Sequence, residues 1–242
     1  MSLTDEELVR YDRQIPVIGY ENQVRLKNTS VLVVGLGGLG SIITTYLVAS
    51  GIGRIVVVDH DTVSLSDLNR QILYDTSVLG KPKALVAREK LSKLNPNVVV
   101  ETYVEEFTYG FGERIVRDVD IIVDALDNWE TRFIVDKLAF KYNKPLVHGG
   151  VEGFYGQVTT LIPGKTPCLR CIFQIIKPVK KRVNVVATTP GIIGVIEANE
   201  VLKLATGLGE LLVNKILVYN GLKNEFTIIE IRDVDCRICY EE

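Results

Sequence analysis

The chain has 242 residues, of which 47% are hydrophobic and 24% are charged, and its formal net charge is −2. This composition supports one large α/β domain and excludes wholesale disorder. The near-neutral charge provides no overall basic field, so stable nucleic-acid binding is not expected. Charges or glycines interrupt every apolar run well short of about 18 residues, and the N-terminus is acidic and polar. We therefore expect neither a membrane span nor a signal peptide, and we expect a cytoplasmic location.

Strand-like and helix-like segments alternate along the first 150 residues. Thr4 and Glu7 have the spacing of a capping box and predict an N-terminal helix. Short β-branched runs predict buried strands at 31–35, 54–59, 97–104, 120–126 and 145–150, with helices from 41–50, 81–95 and 128–143 between them. After Gly150 the pattern predicts antiparallel strands at 156–163, 215–221 and 225–232, and a helix at 191–206. The chain is therefore predicted to form a doubly wound, Rossmann-like, mostly parallel sheet that antiparallel strands extend.

A glycine-rich turn follows the first predicted strand. Gly35, Gly37 and Gly40 spell G-x-G-x-x-G between a strand and a helix, the arrangement that lets a phosphate approach the backbone at a helix N-terminus. Asp59 ends the second predicted strand, 19 residues after Gly40, where a carboxylate can bind a ribose hydroxyl. The pattern predicts a nucleotide site, and the alternative is a tight turn without a ligand. Both NAD-dependent dehydrogenases and ATP-using adenylating enzymes use such a turn.

Basic and acidic residues near the predicted strand ends favour ATP chemistry. Arg70 and Lys83 follow the second strand, where positive charge could neutralise a leaving pyrophosphate. Asp124 and Asp127 come at the end of the fourth predicted strand, where a carboxylate could hold Mg²⁺. Taken singly, Lys83 could be a surface lysine and Asp127 a helix N-cap. Their joint occurrence in this order favours the functional interpretation.

The four cysteines form two C-x-x-C pairs, Cys168 with Cys171 and Cys236 with Cys239. In a chain that is expected to be intracellular, this pattern predicts a structural zinc site of four thiolates. Redox pairs or unliganded thiols are the alternative. If all four bind zinc, no cysteine remains as a catalytic nucleophile. His60 and His148, the two histidines, are predicted to be structural residues at strand ends.

Several motifs in order resemble the MoeB/ThiF family, and more closely its MoeB side. They are RYDRQI, VLVVGLGGLGS, RIVVVDHDTVSLSDLNRQILY, KPKA, DALDNWETR, the G-Q-V strand and the paired C-x-x-C. The resemblance implies an enzyme that uses ATP and Mg²⁺ to adenylate the C-terminal carboxylate of a small ubiquitin-like (β-grasp) carrier protein ending in Gly-Gly. Such carriers serve molybdopterin, thiamin or tRNA-thiolation pathways, or protein modification.

The resemblance also implies roles for individual residues. It assigns catalytic roles to Arg13, Arg70, Lys83 and Asp127, with Arg13 reaching the partner subunit's site in an obligate homodimer. The implied nucleotide-binding set is Gly35, Gly37, Gly38, Gly40, Asp59, Asp61, Asp67, Asn69, Arg70, Lys83, Asp127 and Asn128. Asp127 would bind Mg²⁺, and the four cysteines would bind Zn²⁺. The whole chain, 1–242, would be one domain, with a helical arm at 1–30, a nucleotide-binding part at 31–150 and a zinc- and carrier-binding part at 151–242.

Two departures from the family pattern affect the expected chemistry. Asp67 replaces the asparagine that usually precedes the arginine, and an added carboxylate would repel ATP unless it faces Mg²⁺ or Arg70. The segment VNVVATTPG lacks the cysteine that many members carry, so we expect the reaction to stop at the acyl-adenylate and a separate sulfur donor to act next.

Three alternatives to carrier adenylation remain open from the sequence. One is a non-catalytic scaffold that binds the carrier, for which Asp67 is the best support. Another is adenylation of a small carboxylate or a modified tRNA base, with local help from the basic stretch that contains Lys177, Lys180, Lys181 and Arg182. The third and least favoured is an NAD-dependent dehydrogenase, which would not need the set of Arg70, Lys83 and Asp127.

Overall fold

The computed structural model describes residues 2–173, 183–232 and 236. Cys239 and the basic residues of the stretch 177–182 lie outside this part. The described helices are α1 (Asp5–Arg10), α2 (Ile15–Ile18), α3 (Tyr20–Lys27), α4 (Gly38–Ser50), α5 (Lys83–Leu94), α6 (Tyr109–Val116), α7 (Trp129–Lys141), α8 (Leu169–Phe173) and α9 (Thr188–Thr206). The described strands are β1 (Ser30–Val34), β2 (Arg54–Val58), β3 (Val99–Tyr103), β4 (Ile121–Asp124), β5 (Leu146–Glu152), β6 (Tyr155–Leu161), β7 (Lys215–Asn220) and β8 (Glu225–Glu230).

The strands form one mixed sheet in the order β3-β2-β1-β4-β5-β6-β7-β8. Strands β1 to β5 pair in parallel, and β5 to β8 pair in antiparallel fashion. Val34 lies opposite Val58 on one side and Asp124 on the other, so the carboxyl ends of β1, β2 and β4 are level. The strand order reverses between β1 and β4, and ligands of open α/β sheets bind in the crevice at such a point. The predicted fold class is confirmed.

Helices cover both faces of the parallel part of the sheet. On one face, apolar side chains of α4, α5 and α9 pack with those of the sheet, and Ile43, Leu47 and Val201 are completely buried. On the other face, Val135 and Leu138 of α7 pack against the opposite side chains of the same strands. Because both faces are covered, the strands read as continuous apolar runs. None of the described helices is long and apolar enough to cross a membrane.

The predicted elements are present, with some shifted ends. The capping box of Thr4 and Glu7 forms as predicted. Helix α4 begins at Gly38 rather than Ser41, because its first turn is made by the glycine-rich motif itself. Four further helices, α2, α3, α6 and α8, were not predicted from the sequence. Of these, α2 and α8 are too short for a helical period, and α6 contains two glycines.

A buried carboxyl group interrupts the core between α9 and the sheet. Glu197 is completely buried, and its two carboxyl oxygens have no hydrogen-bond partner among the described residues. The carboxyl packs against β5, where a Cβ added to Gly149 would lie 2.2 Å from it. Burial holds the pKa of Glu197 well above its usual range, the charge of Asp124 adds to this, and that of Arg132 opposes it. We infer that Glu197 is uncharged in the folded protein near neutral pH.

Glu197→Gln is therefore expected to flatten the dependence of stability on pH. Glu197 ionises in the unfolded chain above a pKa of about 4.3 but not in the folded chain, so folding takes up a proton and wild-type stability falls as pH rises above that value. In the wild type, each pH unit between the unfolded-state and folded-state pKa values lowers the unfolding free energy by about 1.4 kcal/mol. The amide of the Gln variant does not titrate, so this contribution is absent from it. Urea unfolding at pH 5, 7 and 8 gives the unfolding free energy at each pH, and hence its slope against pH. Glu89→Gln on the exposed face of α5 is the control. An unchanged slope in Glu197→Gln would contradict this assignment.

Candidate active site

The glycine-rich turn leaves room for a ligand at the start of α4. Gly35 has a φ of +96°, and a Cβ there would lie 2.7 Å from the carbonyl oxygen of Ala125. A Cβ on Gly40 would lie 1.9 Å from the carbonyl oxygen of Gly35, so helix and strand pack without space for a side chain. Around Gly37, by contrast, the nearest atom to a Cβ would be Nε2 of Gln71 at 3.9 Å. No side chain caps α4, so its first N–H groups can donate to an anion.

Asp59 follows β2 and fixes the turn from the side of the second strand. One carboxylate oxygen accepts from the backbone N–H of Leu36 at 2.7 Å, and the other accepts from that of Asp61 at 2.8 Å. Burial raises the pKa of Asp59, while these two hydrogen bonds and the charge of Lys83 oppose the rise. Each oxygen keeps a second lone pair. The carboxylate can therefore accept from a ribose hydroxyl at the position that the sequence predicted.

Lys83 is held at the start of α5 by a short backbone ladder. Its backbone N–H donates to the carbonyl oxygen of Asp61 at 2.9 Å, and Thr62 pairs with Pro82 in an isolated bridge. The Lys83 ammonium lies 3.0 Å from a carboxylate oxygen of Asp61 and 3.7 Å from one of Asp67. Only 5% of the side chain is exposed. Lys83 is thus a buried cation, and the surface-lysine alternative is wrong.

Asp67 and Arg70 lie between Lys83 and the glycine-rich turn. Asp67 ends a short 3₁₀ turn that begins at Leu65, and its Oδ1 is 3.6 Å from a guanidinium nitrogen of Arg70. The Cγ of Arg70 would be 3.5 Å from a Cβ on Gly38, so Arg70 lies beside the turn. The added carboxylate of Asp67 therefore faces Arg70 and Lys83. Asn69 accepts a hydrogen bond of 3.0 Å from Arg70 through its side-chain oxygen.

Asp127 is exposed at a cleft beside the carboxyl end of β4. The strand ends at Asp124, three residues earlier than the position of Asp127, so the prediction that Asp127 ends it is wrong. Asn128, and not Asp127, caps α7 by accepting from the backbone N–H of Thr131 at 2.9 Å. Asp127 is therefore not the helix cap and remains accessible as a metal ligand. The cleft has a volume of about 340 Å³, and its lining includes Asp127, Trp129, Arg132, Gly150, Tyr155 and Gln157.

A buried charged network, which was not predicted from the sequence, supports the loop that carries Asp127. Arg132 of α7 donates to the carbonyl oxygen of Leu126, and one guanidinium nitrogen lies 3.1 Å from Nδ1 and 3.2 Å from Nε2 of His148. Nδ1 of His148 lies 2.7 Å from a carboxylate oxygen of Asp124. Burial lowers the pKa of His148, and the charge of Arg132 lowers it further. The geometry fits a neutral His148 that donates to Asp124 through Nδ1, with the Arg132 guanidinium beside both ring nitrogens.

The two histidines have different surroundings. His148 lies within β5 rather than at its end and is completely buried, in agreement with a structural role. His60 follows β2, is exposed, and lies 3.5 Å from the Asp61 carboxylate. The sequence offered a signal for the network in the run D-A-L-D-N-W-E-T-R, which contains both Asp124 and Arg132.

Three of the four cysteines come together near the start of α8. The sulfur atoms of Cys168, Cys171 and Cys236 all lie within 4.8 Å of one another, and none of the three is in a disulfide. The backbone N–H of Cys168 points at the sulfur of Cys236 at 3.1 Å. Burial raises the pKa of the Cys168 thiol, and the nearby Asp136 carboxyl adds to this. A bound cation would offset the cost of ionising such thiols, and thiolates are ligands that suit Zn²⁺. Cys239, the predicted fourth ligand, lies outside the described residues.

Arg13 stands apart from the site within a single chain. It follows α1, its side chain is fully exposed, and its ion-pair partner in the described part of the chain is the adjacent Asp12 at 3.9 Å. The structure therefore brings together the glycine-rich turn, Asp59, Asp61, Asp67, Arg70 and Lys83, with Asp127 at the neighbouring cleft, but leaves Arg13 in solvent.

These features define an α/β protein with a glycine-rich turn where its strand order reverses and a cleft beside that turn. The sequence profile of the ThiF family matches residues 11–238, and the chain belongs to this family. It is 42% identical, over its whole length and 94% of the relative's, to the sulfur carrier protein adenylyltransferase of Thermus thermophilus. It is 36% identical over 99% of its length to the adenylyltransferase and sulfurtransferase MOCS3 of Sus scrofa. The chain spans about half of that relative, since the match covers 55% of it.

Solved structures of similar fold agree with this placement. The crystal structure of PaaA superposes with a TM-score of 0.83 at 28% identity, over 95% of this chain and 75% of PaaA. The structure of E. coli MccB with ATP superposes with a TM-score of 0.82 at 24% identity, over 95% of this chain and 73% of MccB, which shows the shared fold. Family membership argues against the dehydrogenase alternative.

Proposed function

We propose that this protein is an adenylyltransferase that activates the C-terminal carboxylate of a small sulfur-carrier protein with ATP. The observation that carries the proposal is the full-length similarity to a sulfur carrier protein adenylyltransferase. The site supports it, since a glycine-rich turn, two cations and a neighbouring cleft lie where a nucleotide and a peptide carboxylate could meet. A scaffold without activity would not need Lys83 to be buried and ion-paired beside this turn.

The site residues would bind ATP with its α-phosphate toward the cleft. The free N–H groups of the first turn of α4 would hold phosphate oxygens, and Asp59 would accept from a ribose hydroxyl. Arg70 and Lys83 would contact the phosphates. The exposed carboxylate of Asp127 is an oxygen ligand of the kind that Mg²⁺ prefers, and the metal would supply further charge neutralisation at the phosphates.

The reaction needs alignment and positive charge rather than a general base. A C-terminal carboxylate is already ionised near pH 7. One of its oxygens would attack the α-phosphorus, the bond from that phosphorus to the bridging oxygen would break, and pyrophosphate would leave with the electron pair. Lys83 and Arg70 would stabilise the charge that accumulates on the leaving group. Arg132 holds the carbonyl oxygen of Leu126 and so positions the loop of Asp127.

The cleft fits a C-terminal peptide segment that has small side chains or none. Two of its lining residues are glycines, and a Cβ on Gly156 would lie 2.3 Å from Ile193. Val218 also lines the cleft, and next to it the sheet face continues to Ile229 of β8, whose side chain is half exposed. We assign nucleotide binding to 31–150 and the carrier to 151–242. A tail ending in Gly-Gly would enter the cleft while the folded body of the carrier rests on this open face.

The activated carrier would leave as an acyl-adenylate for a separate sulfur donor. The described stretch 183–191 has no cysteine, and three of the four cysteines of the chain lie together as a candidate zinc site. No sulfur of those three is then available to form a thioester with the carrier.

Carrier-dependent exchange between ATP and pyrophosphate tests the proposed function. Purified protein, Mg²⁺, labelled pyrophosphate and a panel of ubiquitin-like proteins ending in Gly-Gly are combined. We expect exchange with one carrier and its loss when the terminal glycine of that carrier is deleted. ATP binding without exchange for any carrier would favour the scaffold or a small-carboxylate substrate. A thioester trapped between carrier and enzyme would contradict the absence of a catalytic cysteine.

We further propose that the active protein is a homodimer in which Arg13 completes the neighbouring site. Arg13→Ala and Lys83→Ala are each expected to be inactive alone. In a mixed dimer, one site combines Arg13 from the Lys83→Ala chain with Lys83 from the Arg13→Ala chain. Random subunit exchange between equal amounts of the two variants makes about half of the dimers mixed, and one of the two sites in each mixed dimer is complete. About a quarter of all sites are therefore complete. Recovery of about a quarter of wild-type exchange activity is therefore expected after mixing, whereas no recovery despite proven subunit exchange would show that Arg13 acts within its own chain.

A further inference from the structure

Four hydrogen-bond and charge partners converge on the buried carboxylate of Asp67. Oδ2 accepts from the backbone N–H and from the hydroxyl of Ser64, each at 2.9 Å, and Oδ1 accepts from Nε2 of Gln71 at 2.9 Å. The same two oxygens lie 3.7 Å from the Lys83 ammonium and 3.6 Å from the Arg70 guanidinium. Burial opposes ionisation, but these hydrogen bonds and charges outweigh it and keep the pKa of Asp67 below its usual value. Asp67 is therefore a fixed anion in the phosphate site.

The phosphate site consequently holds more negative than positive charge before a nucleotide arrives. Its cations are Arg70 and Lys83. Asp67 lies close to both of them, Asp61 is ion-paired with Lys83, and the charge of Lys83 also acts on the Asp59 carboxylate. Asp61 is more than half exposed, so water screens it, whereas only 11% of the Asp67 side chain is exposed. The excess negative charge would therefore repel a metal-free triphosphate.

We propose that Asp67 is a specificity-determining residue, an internal counter-ion that reserves the phosphate site for metal-bound nucleotide. Its charge weakens the binding of metal-free ATP more than that of Mg²⁺-ATP, because the metal-free form carries two more negative charges. By the same reasoning, Asp67 weakens the hold of Arg70 and Lys83 on departing pyrophosphate. This inference rests on the proposed function, because it takes the cluster of Arg70 and Lys83 to be the phosphate site.

The sign of the effect separates this role from a structural one. If Asp67 only positioned Arg70 and Lys83, Asp67→Asn would loosen both cations and weaken every phosphate ligand. If Asp67 acts by its charge, the same variant gains affinity. A unit charge several ångströms from the phosphates, at an effective dielectric constant of about 20 and with partial screening, predicts about tenfold tighter binding of metal-free ATP. The change for Mg²⁺-ATP is expected to be smaller, at about threefold.

The test is calorimetric titration of the full-length protein with ATP, with and without Mg²⁺, and with pyrophosphate, at low ionic strength. Asp67→Asn is compared with wild type, and Asp67→Ser is a second neutral variant in case the amide disturbs Ser64 and Gln71. Glu89→Gln removes an equal charge from the exposed face of α5, where Glu89 pairs with Lys93, and is the matched control. Circular-dichroism melting establishes that each variant is folded.

Tighter binding of metal-free ATP by a folded neutral variant, with a smaller gain for Mg²⁺-ATP and none in Glu89→Gln, is the expected result. Unchanged or weaker binding in both neutral variants would overturn the role of Asp67 while leaving ATP binding by the wild type intact. If the wild-type protein bound neither ATP nor pyrophosphate under any condition, the proposed function would fail and this inference with it.

Discussion

Lys83→Ala is expected to lower carrier-dependent ATP–pyrophosphate exchange by at least about a hundredfold, which is the usual effect of removing one preorganised group from a charge-stabilising site. The ammonium is almost completely buried, and its position follows from α5 and from the backbone bond to Asp61 rather than from a flexible surface stem. Water cannot readily take its place. The loss should appear in the maximal rate more than in the apparent affinity for the carrier, because the charge on pyrophosphate develops in the transition state.

The variant should nevertheless fold. Without Lys83, the carboxylate of Asp67 keeps its bonds from Ser64 and Gln71 as well as its contact with Arg70, and Asp61 is largely solvated. Lys93→Ala, which removes a lysine whose side chain is 73% exposed on the same helix, is the matched control and should retain wild-type exchange. Near-normal exchange by folded Lys83→Ala would show that Lys83 is not part of the phosphate site.

The backbone pattern made the location of the site predictable. Gly35, Gly40 and Asp59 were identifiable because their roles depend on local geometry, a turn and a strand end, that short sequence patterns encode. The continuous apolar runs likewise predicted a sheet covered on both faces. The level carboxyl ends of β1, β2 and β4 then follow from parallel pairing, so the candidate site could be predicted at that edge.

Contacts between distant segments were not predictable in the same way. Arg132, His148 and Asp124 come from α7, β5 and β4, and no periodicity indicates which polar side chains of three elements will meet in the interior. Asp67 illustrates the same point, because the sequence shows an acidic residue near Arg70 but not that Ser64 and Gln71 hold it as an anion. Likewise, α6 escaped detection because its helical pattern includes Gly110 and Gly112.

The cysteine cluster leads to the second large expected effect, which is on stability. Removal of zinc by a strong chelator is expected to lower the melting temperature by more than about 10 °C, because about 2–4 °C corresponds to 1 kcal/mol in a domain of this size and a structural zinc site contributes several kcal/mol. The site would connect Cys236, near the end of the chain, to Cys168 and Cys171 at α8. Its loss would release that end and expose the middle of α7, where Asp136 accepts from the backbone N–H of Leu169 at 3.1 Å.

Cys171→Ser provides the genetic counterpart of chelation. Elemental analysis should find about one zinc ion per wild-type chain and none in the variant. The variant should melt near the temperature of the chelated wild type, and chelator should not lower it further. Because adenylation needs no thiol in the proposed mechanism, the folded variant should retain exchange activity at temperatures well below its melting point. Loss of exchange there, with the fold intact, would instead assign a cysteine to the chemistry, and a melting temperature insensitive to chelator would argue against a structural metal.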